Sequence, residues 1–411
     1  MKPKMRMFEI LLLVTILTMV FAGATSALKL DASGDGLSTG PYVLWFPYVD
    51  NTPAPGYDTF FSGIVVTALF NGTTVFIDSN YNCVLDPGEA NRTIDAGETC
   101  RLRNPPAEKA VKLVSDKPVQ AYYLYRSEDF QAYDDNYYEY SPAIPGYRFV
   151  VPFDEGKVYV SATKNCTIVV VVDGIRIEFI RLNKGEVYSV PAKSGMVVIG
   201  SRPICVAVIE NDKKAKDKSF ATPLLPTYAY GKKFWIPGKL EIKYRIIDDN
   251  RTVYLTYING SVKKIKSSST PMAIVTDEPA MAYYLFDVRA KDPWDGVRRY
   301  MHAYPILPVY PISGTEYITA GAIISTHDNN TVLIDYDYDG TFDNNTVLNA
   351  GEEYNPPVRR APPHERLYTP TIGHVKSEHP VLVRYVYIDN WLGIDEKTAA
   401  RTVYWILRII F

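Results

Sequence analysis

The chain has 411 residues and a formal net charge of −2, and 32 of its residues are tyrosine. A charge so near zero excludes the basic footprint of a nucleic-acid binder. The length allows a few domains of ordinary size, and 29 prolines with 25 glycines among many Val, Ile, Thr and Tyr residues indicate short strands separated by turns.

Residues 1–27 read as a signal peptide. Lys2, Lys4 and Arg6 form a positive start, Ile10 to Phe21 is apolar, and Ala22-Gly23-Ala24 and Thr25-Ser26-Ala27 offer small residues for cleavage. The apolar run falls short of the roughly 20 residues of a membrane span. No transmembrane helix is therefore expected in the mature chain, and an uncleaved anchor is the competing reading.

After the signal, one pattern recurs four times. A strand ending at proline opens each copy (42–47, 147–152, 233–237, 301–305), and a second strand follows (63–70, 157–163, 241–247, 320–326). A third strand is TTVFID at 73–78, TIVVVVD at 167–173, TVYLTY at 252–257 and TVLIDY at 331–336. Three copies carry a Gly-Glu turn, DAGET at 95–99, NKGEV at 183–187 and NAGEE at 349–353. A hook closes each unit: SDKPVQAYYLY at 115–125, GSRPICVAVIE at 200–210, TDEPAMAYYLF at 276–286 and SEHPVLVRYVY at 377–387. Proline cannot donate to a ladder, so the hook proline belongs at a strand start or sheet edge. TIVVVVD is apolar throughout and reads as a strand covered on both faces. Helical pieces are expected only at Ala107 to Val114 and Glu396 to Arg401.

Self-similarity on this scale predicts an all-β tandem repeat of four β-units. A unit of four or five short strands is marginal alone. Two β-sandwich domains of two repeats each are therefore expected, 28–225 and 226–411, with a boundary in the segment 220–231; a propeller-like arrangement is the topological alternative. The strand ending in proline, the Thr-Val strand, the Gly-Glu turn and the SDKPV hook resemble the IgGFc-binding-protein N-terminal type of repeat over residues 40 to 390. The resemblance implies an all-β protein that makes contacts outside the cell or at its surface, and it carries over no ligand-contacting residue. The aromatic, sequon-rich composition also resembles archaeal surface-layer-associated proteins.

Export has further signals. Asn71, Asn91, Asn165, Asn250, Asn259, Asn329 and Asn344 each begin an Asn-x-Ser/Thr triplet without a central proline. Four cysteines suit an oxidising compartment; of three pairings, Cys83–Cys100 and Cys166–Cys205 keep each bond within one repeat.

The sharpest chemical motif runs from Asp78 to Glu89. Oxygen donors stand at positions 1 (Asp78), 3 (Asn80), 5 (Asn82), 9 (Asp86) and 12 (Glu89), with the Val84 carbonyl at 7, the ligand spacing of a calcium loop. Cys83 replaces the glycine of position 6. The fourth repeat has a companion in Asp335, Asp337, Asp339, Thr341 and Asp343. Structural calcium is the expected cofactor, against a solvated acidic hairpin.

Aromatic loops follow two hooks: Tyr133, Tyr137, Tyr138 and Tyr140 in the first, Trp294 in the second. Such rings suit sugar faces or protein contacts, or ordinary packing. Catalytic signals are poor. The string Gly36-Leu37-Ser38-Thr39-Gly40 lacks the strand and helix of a nucleophile elbow, and of the five histidines, His302, His327, His364, His374 and His379, the last three share one segment and read as surface or capping residues in preference to a zinc site. The terminal TVYWILRIIF (402–411) is a core or edge strand, or a strand for self-association with a neighbouring copy. The expected function is a secreted or cell-surface structural or adhesion protein, not an enzyme, whose partners are other surface proteins or glycans. The alternative is a carbohydrate-binding module or glycan-active enzyme.

Overall fold

The computed structural model describes residues 41–403 apart from 51–58, 69, 97, 104, 106–107, 118, 130–133, 173, 175, 212–218, 237–244, 268–271, 293–295, 310–313, 320, 337–340, 355–357, 361–366, 371–372 and 390–399. Alternating apolar and polar residues make strands over most of this length. The one helical turn among the described residues is a 3-10 turn at Thr227–Ala229. The helix expected over 107–114 is not formed: Val111–Ser115 is a strand with every residue buried. A short apolar run has no telling period, and pairing with two neighbours decides it. Most of 396–401 lies outside the described residues, and Ala400–Val403 is a strand.

Repeat 1 contains β1 (Tyr42–Phe46), β2 (Thr59–Ala68), β3 (Thr73–Ile77), β4 (Asn91–Ile94), β5 (Thr99–Arg103), β6 (Val111–Ser115), β7 (Val119–Asp129) and β8 (Asp134–Tyr140). They form two four-stranded antiparallel sheets, β1-β6-β3-β4 and β5-β2-β7-β8. Gly63 to Ala68 and Ala121 to Tyr125 are buried without a break, so the second sheet is covered on both faces.

Repeat 2 repeats this order with β9 (Gly146–Val150), β10 (Lys157–Ala162), β11 (Cys166–Val172), β12 (Arg176–Leu182), β13 (Val187–Pro191), β14 (Val197–Asn211) and β15 (Ser219–Pro223). Here the two hook strands are one. The start of β14 pairs with β9 and β11, and its end with β10 and β15. Pro203 lies where the register shifts, between Ile199 and Ile204. A residue with no N–H thus sits where the ladder is already broken and the strand leaves one set of neighbours for another. TIVVVVD is not covered on both faces: in β11, Ile168 and Val170 are buried while Val169 and Val171 are half-exposed.

Repeat 3 comprises β16 (Gly231–Ile236), β17 (Arg245–Asp249), β18 (Thr252–Tyr257), β19 (Val262–Lys266), β20 (Met272–Asp292) and β21 (Gly296–Ile306). It is the copy without a Gly-Glu turn, and its pairing differs. TVYLTY lies opposite Ala280–Leu285, after the hook proline, whereas β3 and β11 pair before it. Repeat 4 returns to the shared order with β22 (Gly314–Thr319), β23 (Gly321–Ser325), β24 (Asn330–Asp335), β25 (Asn344–Leu348), β26 (Glu353–Tyr354), β27 (Val358–Arg360), β28 (Leu367–Pro370), β29 (Gly373–Asp389) and β30 (Ala400–Val403). β22 and β24 pair with the first part of β29, and β23 with Val381–Tyr385.

The Gly-Glu turn has one mechanism in three repeats. It carries the chain from β4 to β5, from β12 to β13 and from β25 to β26, that is, from neighbours of the third strand to neighbours of the second. The glutamate side chain reaches back to the N–H three residues earlier: Glu98 to Asp95 at 2.9 Å, Glu186 to Asn183 at 2.7 Å and Glu352 to Asn349 at 2.7 Å. The next N–H is donated to a side chain at the mouth of the third strand, Asn71, Asn165 or Asp328. Gly185 and Gly351 hold φ of 80° and 84°, a conformation costly for any residue with a Cβ.

The repeats pack on one another. β15 lies alongside both β8 and β21, and β21 alongside β30. One apolar cluster runs from Phe149 to Leu382 and takes in Phe153, Leu224, Leu225, Tyr230, Tyr254 and Tyr283. The segment 220–231 is therefore inside a core shared by repeats 2 and 3. Leu225 N–H donates to the Tyr283 hydroxyl at 2.9 Å across that junction.

Candidate functional site in the first acidic loop

The loop after β3 begins at Asp78, whose side chain is buried with none of its surface exposed. Tyr81 and Cys83 take left-handed φ of 64° and 65°. Cys83 thus adopts the turn that position 6 requires, without being glycine. Asp78 holds the turn: Oδ1 accepts from the Asn82 N–H at 2.9 Å, and Oδ2 from the Cys83 N–H at 2.7 Å. Lys112 of β6, directly opposite, donates from Nζ to Asp78 Oδ2 at 2.6 Å, Tyr81 O at 3.3 Å and Cys83 Sγ at 2.6 Å. The Trp45 ring faces the same ammonium at 6.0 Å.

The remaining donors of the motif are turned on the loop itself. Glu89 accepts from the Ser79 and Asp86 N–H groups at 2.6 and 3.1 Å. Asp86 Oδ2 accepts from the side-chain amides of Asn80 and Asn82 at 2.6 and 2.8 Å, and Asn82 Oδ1 accepts from the Val84 N–H at 2.7 Å. A lysine ammonium therefore holds the place of the cation. A divalent ion at the first position would stand beside that ammonium, 2.6 Å from Asp78 Oδ2, and like charges repel, so this arrangement does not fit one in repeat 1. In repeat 4, Asp335 is buried and Asp343 Oδ2 accepts from the Tyr336 N–H at 2.7 Å. Thr341 is exposed, and Asp337 and Asp339 lie outside the described residues.

The loop is also a joint between repeats. Tyr81 stacks on Trp45 of its own repeat, ring centroids 5.7 Å apart, and donates its hydroxyl to Ala110 O at 2.8 Å. Its other side lies on Gly185, the glycine of the second Gly-Glu turn, where an added Cβ would stand 2.2 Å from the ring. Lys184 of that turn donates to Tyr81 O. Burial raises the Tyr81 phenol to about 12, with Asp78 adding to the shift. In the sequence Tyr81 stands between the motif's oxygen donors and Lys112 in an apolar strand, and neither signals the joint because their partners lie far away in the chain; Gly185 is legible as a turn glycine but not as the seat of Tyr81.

Two aromatic candidates are corrected. Tyr138 and Tyr140 are buried in a tyrosine core with Tyr123 and Tyr125. Tyr138 stacks on Tyr125 at 4.8 Å, and Tyr140 donates to Tyr48 O, so neither ring meets a ligand. Alternation along β8 turns these two rings inward. The side chain of Tyr137, and Tyr133 and Trp294 altogether, lie outside the described residues.

Neither of the expected disulfides, Cys83–Cys100 and Cys166–Cys205, is present among the described residues. Cys83 sits on the acidic loop against Lys112 while Cys100 is on β5 of the other sheet. Cys166 and Cys205 belong to different apolar clusters. Burial pushes the Cys205 thiol far above its usual value.

Of the seven sequons, Asn71, Asn91, Asn165, Asn250, Asn259 and Asn329 are exposed. Asn344 is half-buried and donates its amide nitrogen to the Tyr354 hydroxyl at 2.6 Å. His327 and His379 are exposed and stacked, rings 4.8 Å apart. The Gly36–Gly40 string and His364 lie outside the described residues. No helix among the described residues is long and apolar enough to cross a membrane.

No protein-family model and no curated protein matches the chain. Among solved structures, a Ca2+-stabilized adhesin with which an Antarctic bacterium reaches out and binds ice aligns at 11% identity over 85% of this chain and 95% of its own, with a TM-score of 0.13. A 1.5-MDa bacterial ice-binding adhesin, studied for host cell surface retention, aligns at 11% identity over 64% of this chain and 90% of its own, with a TM-score of 0.11. Scores this low carry no argument about fold or function.

Proposed function

We propose that this chain is a secreted or cell-surface structural or adhesion protein, a stack of β-modules that makes contacts and carries out no catalysis. The observation that supports this best is the joint between repeats 1 and 2. Tyr81, on a loop braced within repeat 1 by a buried ion pair and by its stack on Trp45, is wedged against the glycine turn of the next module, whose Lys184 donates to its carbonyl. Modules stacked in this way present long surfaces built from neighbouring repeats. The motif resemblance to IgGFc-binding-protein N-terminal repeats points the same way, and the exposed sequons suit a glycosylated, exported chain. Surface proteins or glycans are the proposed partners. The glycan-active alternative is weakened by the burial of Tyr138 and Tyr140. Calcium is proposed for repeat 4 alone, where the register partner of Asp335 is His374 in place of a lysine.

Two measurements test this. Beads coated with the purified chain should adhere to cell envelopes and to a subset of surface proteins, and release no product from polysaccharide or peptide. Product release, or beads that adhere no better than albumin-coated controls, would sink the reading. Calcium should raise the melting temperature, and Asp339→Ala should abolish that rise while Asp86→Ala leaves it intact; the reverse pattern would return the ion to repeat 1.

A further inference from the structure

We infer that Cys83 and Lys112 form an oxidative covalent clasp, an N–O–S bridge in which one oxygen links Lys112 Nζ to Cys83 Sγ. The two atoms stand 2.6 Å apart. That is closer than an ordinary ammonium–thiol contact, and it is a gap that a single oxygen bonded to both would fill with neither atom moving far. Direct nitrogen–sulfur bonding would need the pair to close much further.

Access and restraint favour the reaction. Cys83 is exposed, so an oxidant reaches its sulfur from solvent. Lys112 is buried and held by Asp78 and the Tyr81 carbonyl, so its nitrogen stays on the inner side of that sulfur. Cys166 and Cys205 are buried and have no such approach. Only a free amine can be oxidised to an N–O bond, and the Asp78 carboxylate lies 2.6 Å from the ammonium, placed to take its proton.

The step balances with dioxygen as the oxidant. The ammonium gives one proton to Asp78. The amine then loses one hydrogen and the thiol loses its hydrogen, while one oxygen atom enters between nitrogen and sulfur. The second oxygen atom leaves as water with the two hydrogens. Nitrogen and sulfur each lose two electrons, and dioxygen takes all four. The pocket is neutral before, as an ion pair, and neutral afterwards, as a protonated carboxyl beside an uncharged amine. The clasp ties the acidic loop to β6 and so fixes Tyr81 between Trp45 and Gly185. The joint between repeats 1 and 2 would then be set by the oxidation state of its surroundings.

The full chain, purified under reductant and then aerated, is analysed by intact mass and peptide mapping. The expected product gains one oxygen and loses two hydrogens, and its Cys83 peptide is joined to its Lys112 peptide. Cys83 should resist iodoacetamide after aeration and recover its reactivity with dithiothreitol. Cys83→Ser should abolish the product, and so should Lys112→Arg, which keeps a cation in the pocket and guards against a simple folding failure. Three results would each overturn the inference: Cys83 still freely alkylated after aeration, Cys83 found bonded to Cys100, or Cys83 oxidised to sulfinic acid with Lys112 unlinked.

Discussion

Gly185→Ala probes the joint most directly. The glycine holds φ of +80°, and a methyl group there would lie 2.2 Å from Cζ and the hydroxyl oxygen of Tyr81. The left-handed backbone costs alanine about 1–2 kcal/mol. The clash drives the ring out, so its hydroxyl bond to Ala110, about 0.5–1.5 kcal/mol, and its stack on Trp45, about the same again, are lost as well. The expected total is about 2–5 kcal/mol. In a Tyr81→Ala background only the backbone cost remains, which leaves a coupling of about 1–3 kcal/mol between the two positions. Urea unfolding of the four proteins, followed by tryptophan fluorescence and far-ultraviolet circular dichroism, measures it. An equal cost of Gly185→Ala in both backgrounds would show that Tyr81 does not seat on the second repeat.

Other outcomes follow from the same geometry. Lys112→Met in reduced protein should cost about 3–5 kcal/mol, because it strands a fully buried Asp78. The double variant Lys112→Met, Asp78→Leu should recover most of the loss, and a loss under about 1 kcal/mol in the single variant would contradict the buried pair. The Tyr138 hydroxyl is buried without a hydrogen-bond partner among the described residues. Tyr138→Phe should therefore be neutral or stabilising, whereas Tyr140→Phe, which removes a donor to Tyr48 O, should cost about 1 kcal/mol in the same urea assay. Burial raises Tyr81, Tyr159 and Tyr254 from 10.0 to about 12. The unfolded chain loses these protons first, so their stabilisation is complete below pH 10 and is lost as pH rises towards 12. Melting temperatures should hold up to that point and then fall, with tyrosinate absorbance appearing on unfolding. Glu186 lies below its ordinary carboxylate value because it accepts from the Asn183 backbone and side chain. Its contribution is present above pH 4.5, the unfolded value, and is lost as pH falls through the lower folded value; Glu186→Gln should flatten that part of the acid profile.

Strand content, the four hooks and the Gly-Glu turns were legible in the sequence because each rests on local chemistry. Alternation sets which residues can share a face, and proline and glycine mark where a ladder must stop. The glutamate that closes each turn bonds a donor only three residues away. The acidic loop was legible as a tight turn for the same reason, down to the left-handed demand at position 83.

What fills that turn was not legible. Asp78 meets Lys112 from 34 positions away, and no spacing rule tells a lysine ammonium from a calcium ion when both satisfy the same carboxylate. The inward turn of Tyr138 and Tyr140, the exposed face of TIVVVVD, the separate homes of the cysteines and the divergent pairing of repeat 3 have one physical cause. Burial and partners are set by which strand arrives opposite and which neighbouring module covers the face. Local sequence determined a β-repeat with known turns; only the packing of distant strands decided which side chains became core, cation or joint.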